Sequence, residues 1–293
     1  CTEGVSSAAS DVYKRQGYRS LSETIEKFSL RSVAFEPNHI TYAEHKSVSE
    51  SLSGDVSFTP ALNIVEELRC EKDDFEIEIL SEAVRIADIA MKEAADSLEV
   101  GIRECDVSDV IESALKSAGA TGTAFDTIVA SGPNSALPHH KAGDRLISEG
   151  DSVVIDMGAH YKDYRTDLSR TNIVGDSEIS KFDENYGIVL EAQMAAEESA
   201  TPGMLGKELD AVARDVIEGY GYGSFFGHGL GHGVGVDVHE LPMVVPSSND
   251  SILPGSVFTV EPGIYIPGWG GVRIEDVLVM GDSSAEVLTL SKK

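Results

Sequence analysis

Asp156, Asp167, His232, Glu261 and Glu275 lie in five separated segments of the second half of the chain, and as a set they can hold two divalent cations. Bringing carboxylates together in a protein interior is costly, because each buried ionised group loses its hydration and repels the others. A pair of cations removes that cost. Four carboxylates carry a formal charge of minus four, which two divalent ions offset while neutral His232 completes the shell. A lone zinc is satisfied by three or four ligands and prefers more nitrogen or sulfur. Oxygen-dominated ligation with one imidazole suits manganese, cobalt or iron, with zinc as an alternative. Two such ions roughly 3.5 to 4 Å apart share a bridging hydroxide and stabilise a developing oxyanion, which is the chemistry of a hydrolase.

Each of these residues needs an element to deliver it. Asp156 closes the apolar run that starts at Ser152, and Gly158 lets the chain bend just after it, so the run reads as a buried strand. Asp167 precedes Leu168-Ser-Arg-Thr171, and two short strands joined by a turn would bring the two aspartates together. Between Phe225 and Gly235, five glycines alternate with other residues that include His228 and His232. Glycine at that density opposes a helix, at about 1 kcal/mol per residue relative to alanine, and predicts a close-packed loop or irregular strand. Val257 to Gly263 and Gly271 to Val279 both read as strands carrying one ligand, Glu261 and Glu275. Strand alternation over the second puts Arg273 on the same face as Glu275.

At these residues the sequence resembles the pita-bread-fold metallopeptidases of family M24, within them the Xaa-Pro dipeptidases and Xaa-Pro aminopeptidases. The resemblance rests on Asp156-Met-Gly-Ala, Tyr164-Arg-Thr-Asp-Leu-Ser-Arg-Thr171, His228-Gly-Leu-Gly-His-Gly-Val-Gly235, Val238-His-Glu-Leu-Pro242, Thr259-Val-Glu-Pro-Gly-Ile-Tyr265 and Gly271-Val-Arg-Ile-Glu-Asp276, in that order. It implies an α/β protein of the α+β kind, with two pseudo-symmetric halves around a dinuclear metal site. One ion would be held by Asp156, Asp167 and Glu275, the other by Asp167, His232, Glu261 and Glu275. The resemblance further implies manganese or cobalt as the pair, with zinc or iron as alternatives, and a metal-bridging hydroxide that attacks the bond preceding proline. Glu261 would shuttle the nucleophile's proton to the departing nitrogen. His239 would hydrogen-bond the tetrahedral species, and His139 or His228 would hold the substrate. Thr166 stands where the family usually has serine, which keeps the hydroxyl. Two roles stay open for Arg273, a catalytic donor close to the metal carboxylates or mainly an ion-pair partner of one of them.

The substrate implied is a peptide or dipeptide with proline at the second position, and the full-length protein is expected to be a homodimer. A methionine aminopeptidase-like enzyme and a non-catalytic binding protein on the same fold are the alternatives. Retention of all five ligand positions argues against the latter.

An internal repeat points to two similar halves without the resemblance. Gly101 to Val110 lines up with Gly203 to Val212 at an offset of 102, and Gly119 with Gly221. Apolar periodicity predicts helices over 74–98 and 108–117, with counterparts over 184–198 and 206–218. The catalytic domain is expected over 62–293 and a remnant of a truncated N-terminal domain over 17–61. Residues 1–16, which begin at Cys1, read as an artefactual segment. Trp269, in a glycine-rich loop, either lines a substrate pocket or covers the loop.

Fifty acidic and 23 basic residues give a formal net charge of −27. Such a field repels polyanions, which excludes nucleic acid and acidic membrane surfaces as partners. Cys1, Cys70 and Cys105 make no disulfide framework, so a reducing cytoplasm is the expected compartment.

Overall fold

The computed structural model describes residues 20–52, 54–175 and 180–293. The segment 1–16, Cys1 included, lies outside the described residues. The chain divides into two compact units, one running to Val65 and the other Glu66–Lys293.

In the first unit, helical residues 20–28 (α1) precede a parallel pair, β1 (Ser32–Phe35) and β2 (Ser57–Pro60), joined through α2 (Tyr42–Ser51). Phe35, His45 and Phe58 pack their rings together, and Thr41 caps α2 in a reciprocal box with Glu44. Helix α3 (Ile64–Cys70), which the sequence reading does not anticipate, carries the chain onward.

The second unit repeats one design twice. Helices α4 (Asp74–Ser97) and α5 (Glu104–Ala118) pack on an antiparallel sheet of β4 (Ile128–Ser131), β5 (Ser152–Met157) and β8 (Leu168–Ile173). A small sheet of β3 (Gly122–Thr123), β6 (Ala159–Tyr161) and β7 (Tyr164–Arg165) is inserted at the β5 end, so β5 and β8 pair across a hairpin rather than through one turn. Then α6 (Ser180–Ser199) and α7 (Gly206–Gly219) pack on β9 (Gly231–Gly233), β10 (Glu240–Val244), β11 (Val257–Val260) and β14 (Asp276–Met280), with β15 (Ala285–Val287) at the edge. The hairpin of β12 (Gly263–Ile266) and β13 (Gly270–Arg273) stands apart from that sheet.

The offset read from sequence has a physical basis. Gly101 donates to the Ile147 carbonyl (2.8 Å) and Gly203 to that of Ile252 (2.7 Å); Ile147 and Ile252 donate back to Ile102 and Met204. Both glycines turn the chain between paired helices at φ +95° and +85°, where an L side chain is strained. The offset of 105 that relates Ile147 to Ile252 also relates Asp156 to Glu261.

The expected single strand over 271–279 is instead two. At Ile274–Glu275 the chain leaves the β12–β13 hairpin and enters the larger sheet, running there beside β8, where Glu275 donates its N–H to the Ser169 carbonyl (3.1 Å). The break sets Glu275 at the join of the two halves. Trp269 packs against the second core, with Lys181 4.8 Å from the ring centroid, and does not line the cavity described below.

Alanine at Gly101 or Gly203 would meet no atom within 4 Å, so its cost is backbone strain alone. Urea denaturation of Gly101→Ala and Gly203→Ala is expected to give similar losses of about 1–2 kcal/mol each. A loss at one and none at the other would contradict their structural equivalence.

Candidate metal centre and active site

Backbone geometry brings the five residues together. Gly158 allows β5 and β8 to close: a Cβ there would sit 1.8 Å from the Thr166 carbonyl oxygen. Asp156 and Asp167 thereby face each other, and with Glu275 their ligand oxygens lie within 4.8 Å of one another. The glycine-rich segment works the same way. Cβ atoms at Gly231 and Gly233 would fall 2.1 and 2.2 Å from the Thr259 and Leu241 carbonyl oxygens, so only glycine lets β9 nest between its neighbours with His232 on it. His232 Nε2 lies 3.3 Å from Glu261 and 3.6 Å from Asp167. His232, Glu261 and Glu275 form a second group within 4.8 Å.

Among the described residues, Asp156 Oδ1, Asp167 Oδ1 and Glu275 Oε1 are buried with no hydrogen-bond partner. One orphaned carboxylate oxygen is expensive, and three in one site are a demand for positive charge. Burial, then the charges of Glu275, Asp156 and Glu261, push the Asp167 carboxyl well above the usual carboxylate range. Burial, then Glu261 and Asp156, do the same to Glu275 against the pull of Arg273. Burial would also raise Glu261, but the hydrogen bond and charge of His232, with those of His228 and Arg273, overcome it and hold the group at about 2. The His232 Nδ1 faces the Gly233 carbonyl (3.1 Å), which fixes that nitrogen as an N–H; loss of the Nε2 proton that Glu261 accepts in the metal-free site would turn the Nε2 lone pair toward the carboxylates. Donor types, burial and the orphaned oxygens fit a pair of divalent cations.

The remaining polar groups are ordered around this centre. Arg273, buried, is an ion-pair partner of Asp156 and also donates to Ser169 Oγ (2.8 Å) and Tyr265 Oη (3.0 Å). Ser169 Oγ donates on to Glu275 Oε2 (2.8 Å). His228 uses both ring nitrogens, one at the Gly229 carbonyl (2.7 Å) and one at Tyr265 Oη (2.9 Å), and burial lowers its pKa. The His239 ring centroid is 4.2 Å from that of His232, and the ring is exposed at the cavity. His139 is exposed at the same cavity, whereas the adjacent His140 is tied to buried Glu104 (2.8 Å). The cavity measures about 470 Å³, with Phe125, Met243 and Val245 as apolar wall.

The model of metallopeptidase family M24 matches residues 78–282, which covers every residue of this centre. The chain belongs to metallopeptidase family M24. A second family model, the creatinase/prolidase N-terminal domain, matches residues 4–70. The chain is 48% identical over 231 residues to the Xaa-Pro dipeptidase of Pyrococcus furiosus, covering 79% of this chain and 66%, just under two thirds, of that enzyme. Among solved structures it superposes on an Xaa-Pro dipeptidase from Bacillus anthracis with TM-score 0.91 at 42% identity, covering 94% of this chain and 77% of that one. An X-Pro aminopeptidase from Thermotoga maritima gives 0.87 at 39% identity, covering 93% and 76%. The pita-bread architecture of this M24 peptidase thus accounts for its two repeated halves.

Ser169, Tyr265 and Glu104 escape the sequence reading as site residues. Ser169 and Tyr265 sit inside motifs already conspicuous there, but nothing in a one-dimensional pattern distinguishes a hydroxyl that bridges Arg273 to Glu275 from an ordinary strand serine. Glu104, at the start of α5, looks like a solvent-facing helix residue. In the fold it is buried and accepts from Ser131, Asn134 and His140.

Asp167→Asn removes one of the repelling buried charges. In chelator-treated protein this variant is expected to gain on the order of 1 kcal/mol, a rise of a few degrees in melting temperature. Added manganese should raise the melting temperature of the parent and leave that of the variant unmoved. Equal metal-induced shifts in both proteins would contradict the assignment of Asp167.

Proposed function

We propose that this chain carries the catalytic domain, residues 62–293, of a dinuclear metal-dependent exopeptidase that hydrolyses the bond preceding proline. The observation that carries the proposal is the convergence of three orphaned carboxylate oxygens, with Asp156, Asp167 and His232 lining one cavity and Glu275 within 4.8 Å of the two aspartates behind them. The names of the relatives, Xaa-Pro dipeptidase and X-Pro aminopeptidase, supply the substrate class. The division of the chain between Val65 and Glu66 supports the domain boundary.

Asp156, Asp167 and Glu275 would hold one ion, and Asp167, His232, Glu261 and Glu275 the other, with manganese or cobalt best suited to this donor set and zinc or iron as alternatives. When bound, the pair supplies Lewis acidity and an activated water nucleophile. Glu261, whose carboxylate lines the cavity beside His232, accepts the proton of the attacking water and passes it to the proline nitrogen as the C–N bond breaks. His239 donates to the developing oxyanion from the cavity rim. His139, beside it in the cavity and with no side-chain hydrogen bond among the described residues, holds the substrate. His228 acts through Tyr265 and Arg273 to keep Asp156 and Glu275 oriented, since both its ring nitrogens are already engaged.

Manganese- or cobalt-loaded protein is expected to hydrolyse an Xaa-Pro dipeptide or an Xaa-Pro-Yaa-Yaa peptide and to leave Xaa-Ala controls intact. The longer peptide separates an aminopeptidase from a dipeptidase. Glu261→Gln should lower kcat by at least roughly 10²-fold, the range of general acid–base catalysis. Full activity in that variant, or equal cleavage of the Xaa-Ala control, would contradict the proposal.

A further inference from the structure

Glu240 follows His239 directly and is itself buried, with its carboxylate turned away from the cavity. Lys72 Nζ donates to Glu240 Oε1 (2.7 Å); the Lys72 side chain is 1% exposed and that of Glu240 4%. Arg69 pairs with the other oxygen and also reaches Asp237 (2.9 Å). Asp237 donates its own N–H to Glu240 (3.3 Å), and the turn is closed by Gly235 donating to the Asp237 carbonyl (3.1 Å). A Cβ at Gly235 would lie 2.3 Å from Glu240 Oε1, so a larger residue there would displace the Glu240 carboxylate. Lys72 is fixed in turn by its N–H to the Gly255 carbonyl (3.0 Å).

His239 has no side-chain hydrogen bond of its own among the described residues; its ring packs on that of His232, and a ring nitrogen lies within 4.8 Å of ligand atoms of Asp167 and His232. Its direction therefore depends on the backbone that presents it. We propose that Lys72, with Arg69, is a positioning residue for His239, acting through a buried ion-pair clamp on Glu240. The segment that opens the second unit thus sets the aim of a cavity histidine some 170 residues later. A buried carboxylate is held in one place by a buried ammonium far more tightly than by solvent, and the adjacent peptide inherits that order.

The inference rests on the role proposed for His239, so its test has two arms. The first is a double-mutant cycle on the metal-loaded protein. Lys72→Met, in the parent, should lower kcat for an Xaa-Pro dipeptide about tenfold, well short of the roughly 10²-fold cost of deleting an oriented donor. KM and metal uptake should stay near parental values, and Lys72→Arg should recover most of the loss. In a His239→Ala background the same change should cost nothing further. Equal losses in both backgrounds, or no loss in the parent, would overturn the clamp. Should Lys72→Met fail to fold, Lys72→Met/Glu240→Gln leaves no unpaired buried charge and enters the same cycle.

The second arm needs no turnover. The His239 ring resonance, identified by its absence in His239→Ala, should shift or broaden in Lys72→Met; an unchanged resonance overturns the clamp. A parent with no activity would refute the functional reading, while the resonance would still decide the clamp.

Discussion

Carboxylates gathered where water cannot reach them repel one another and lose hydration, and the rest of this protein is arranged to make that gathering unavoidable. Among the described residues, Asp156, Asp167 and Glu275 each keep one oxygen that finds no donor. Arg273 and Ser169 satisfy some of the others, but one guanidinium cannot neutralise four carboxylates. The deficit is left at the centre, toward the cavity, and its sign and its oxygen-rich composition specify divalent metal.

The fold supplies the necessary rigidity through duplication. Each half packs two helices on an antiparallel sheet, and each contributes acidic residues where strands end, Asp156 and Asp167 from one and Glu261 and Glu275 from the other. At the join, Arg170 is buried, donates to the Glu275 carbonyl oxygen and pairs with Asp276 (2.7 Å). Gln193 donates to the other Asp276 oxygen (3.0 Å). These contacts lie behind the ligands rather than among them, and they leave Glu275 little freedom to turn away from the site. Glycine does the complementary work, since Gly158, Gly231 and Gly233 each admit a carbonyl oxygen where a side chain would stand.

The cluster was legible in the sequence because Asp156, His232, Glu261 and Glu275 each interrupt an otherwise apolar or glycine-rich run, where a polar residue has no structural reason to be; Asp167, which follows a charged and aromatic segment, lacks that mark. The helix pairs were legible from apolar periodicity and from glycines at matching spacing; their ends were missed by up to four residues, as at Glu104, where acidic Glu104 and Asp106 open the helix before its apolar face begins at Val107. The split of 271–279 into two strands was not legible. Alternation continues through Arg273, Ile274 and Glu275, and only the competition between two sheets for that segment breaks it. Partners fixed by tertiary contact were equally hidden. The resemblance singles out His139 from the adjacent pair His139 and His140, but not the reason: both line the cavity, and buried Glu104 ties His140 alone.

The centre proposed for this chain holds two cations that share Asp167 and Glu275. Anomalous diffraction from crystals soaked in manganese tests this most directly. Two peaks roughly 3.5 to 4 Å apart are expected, both within coordination distance of Asp167 and Glu275, one also beside Asp156 and the other beside His232 and Glu261. A single peak, or none among these carboxylates, would contradict it.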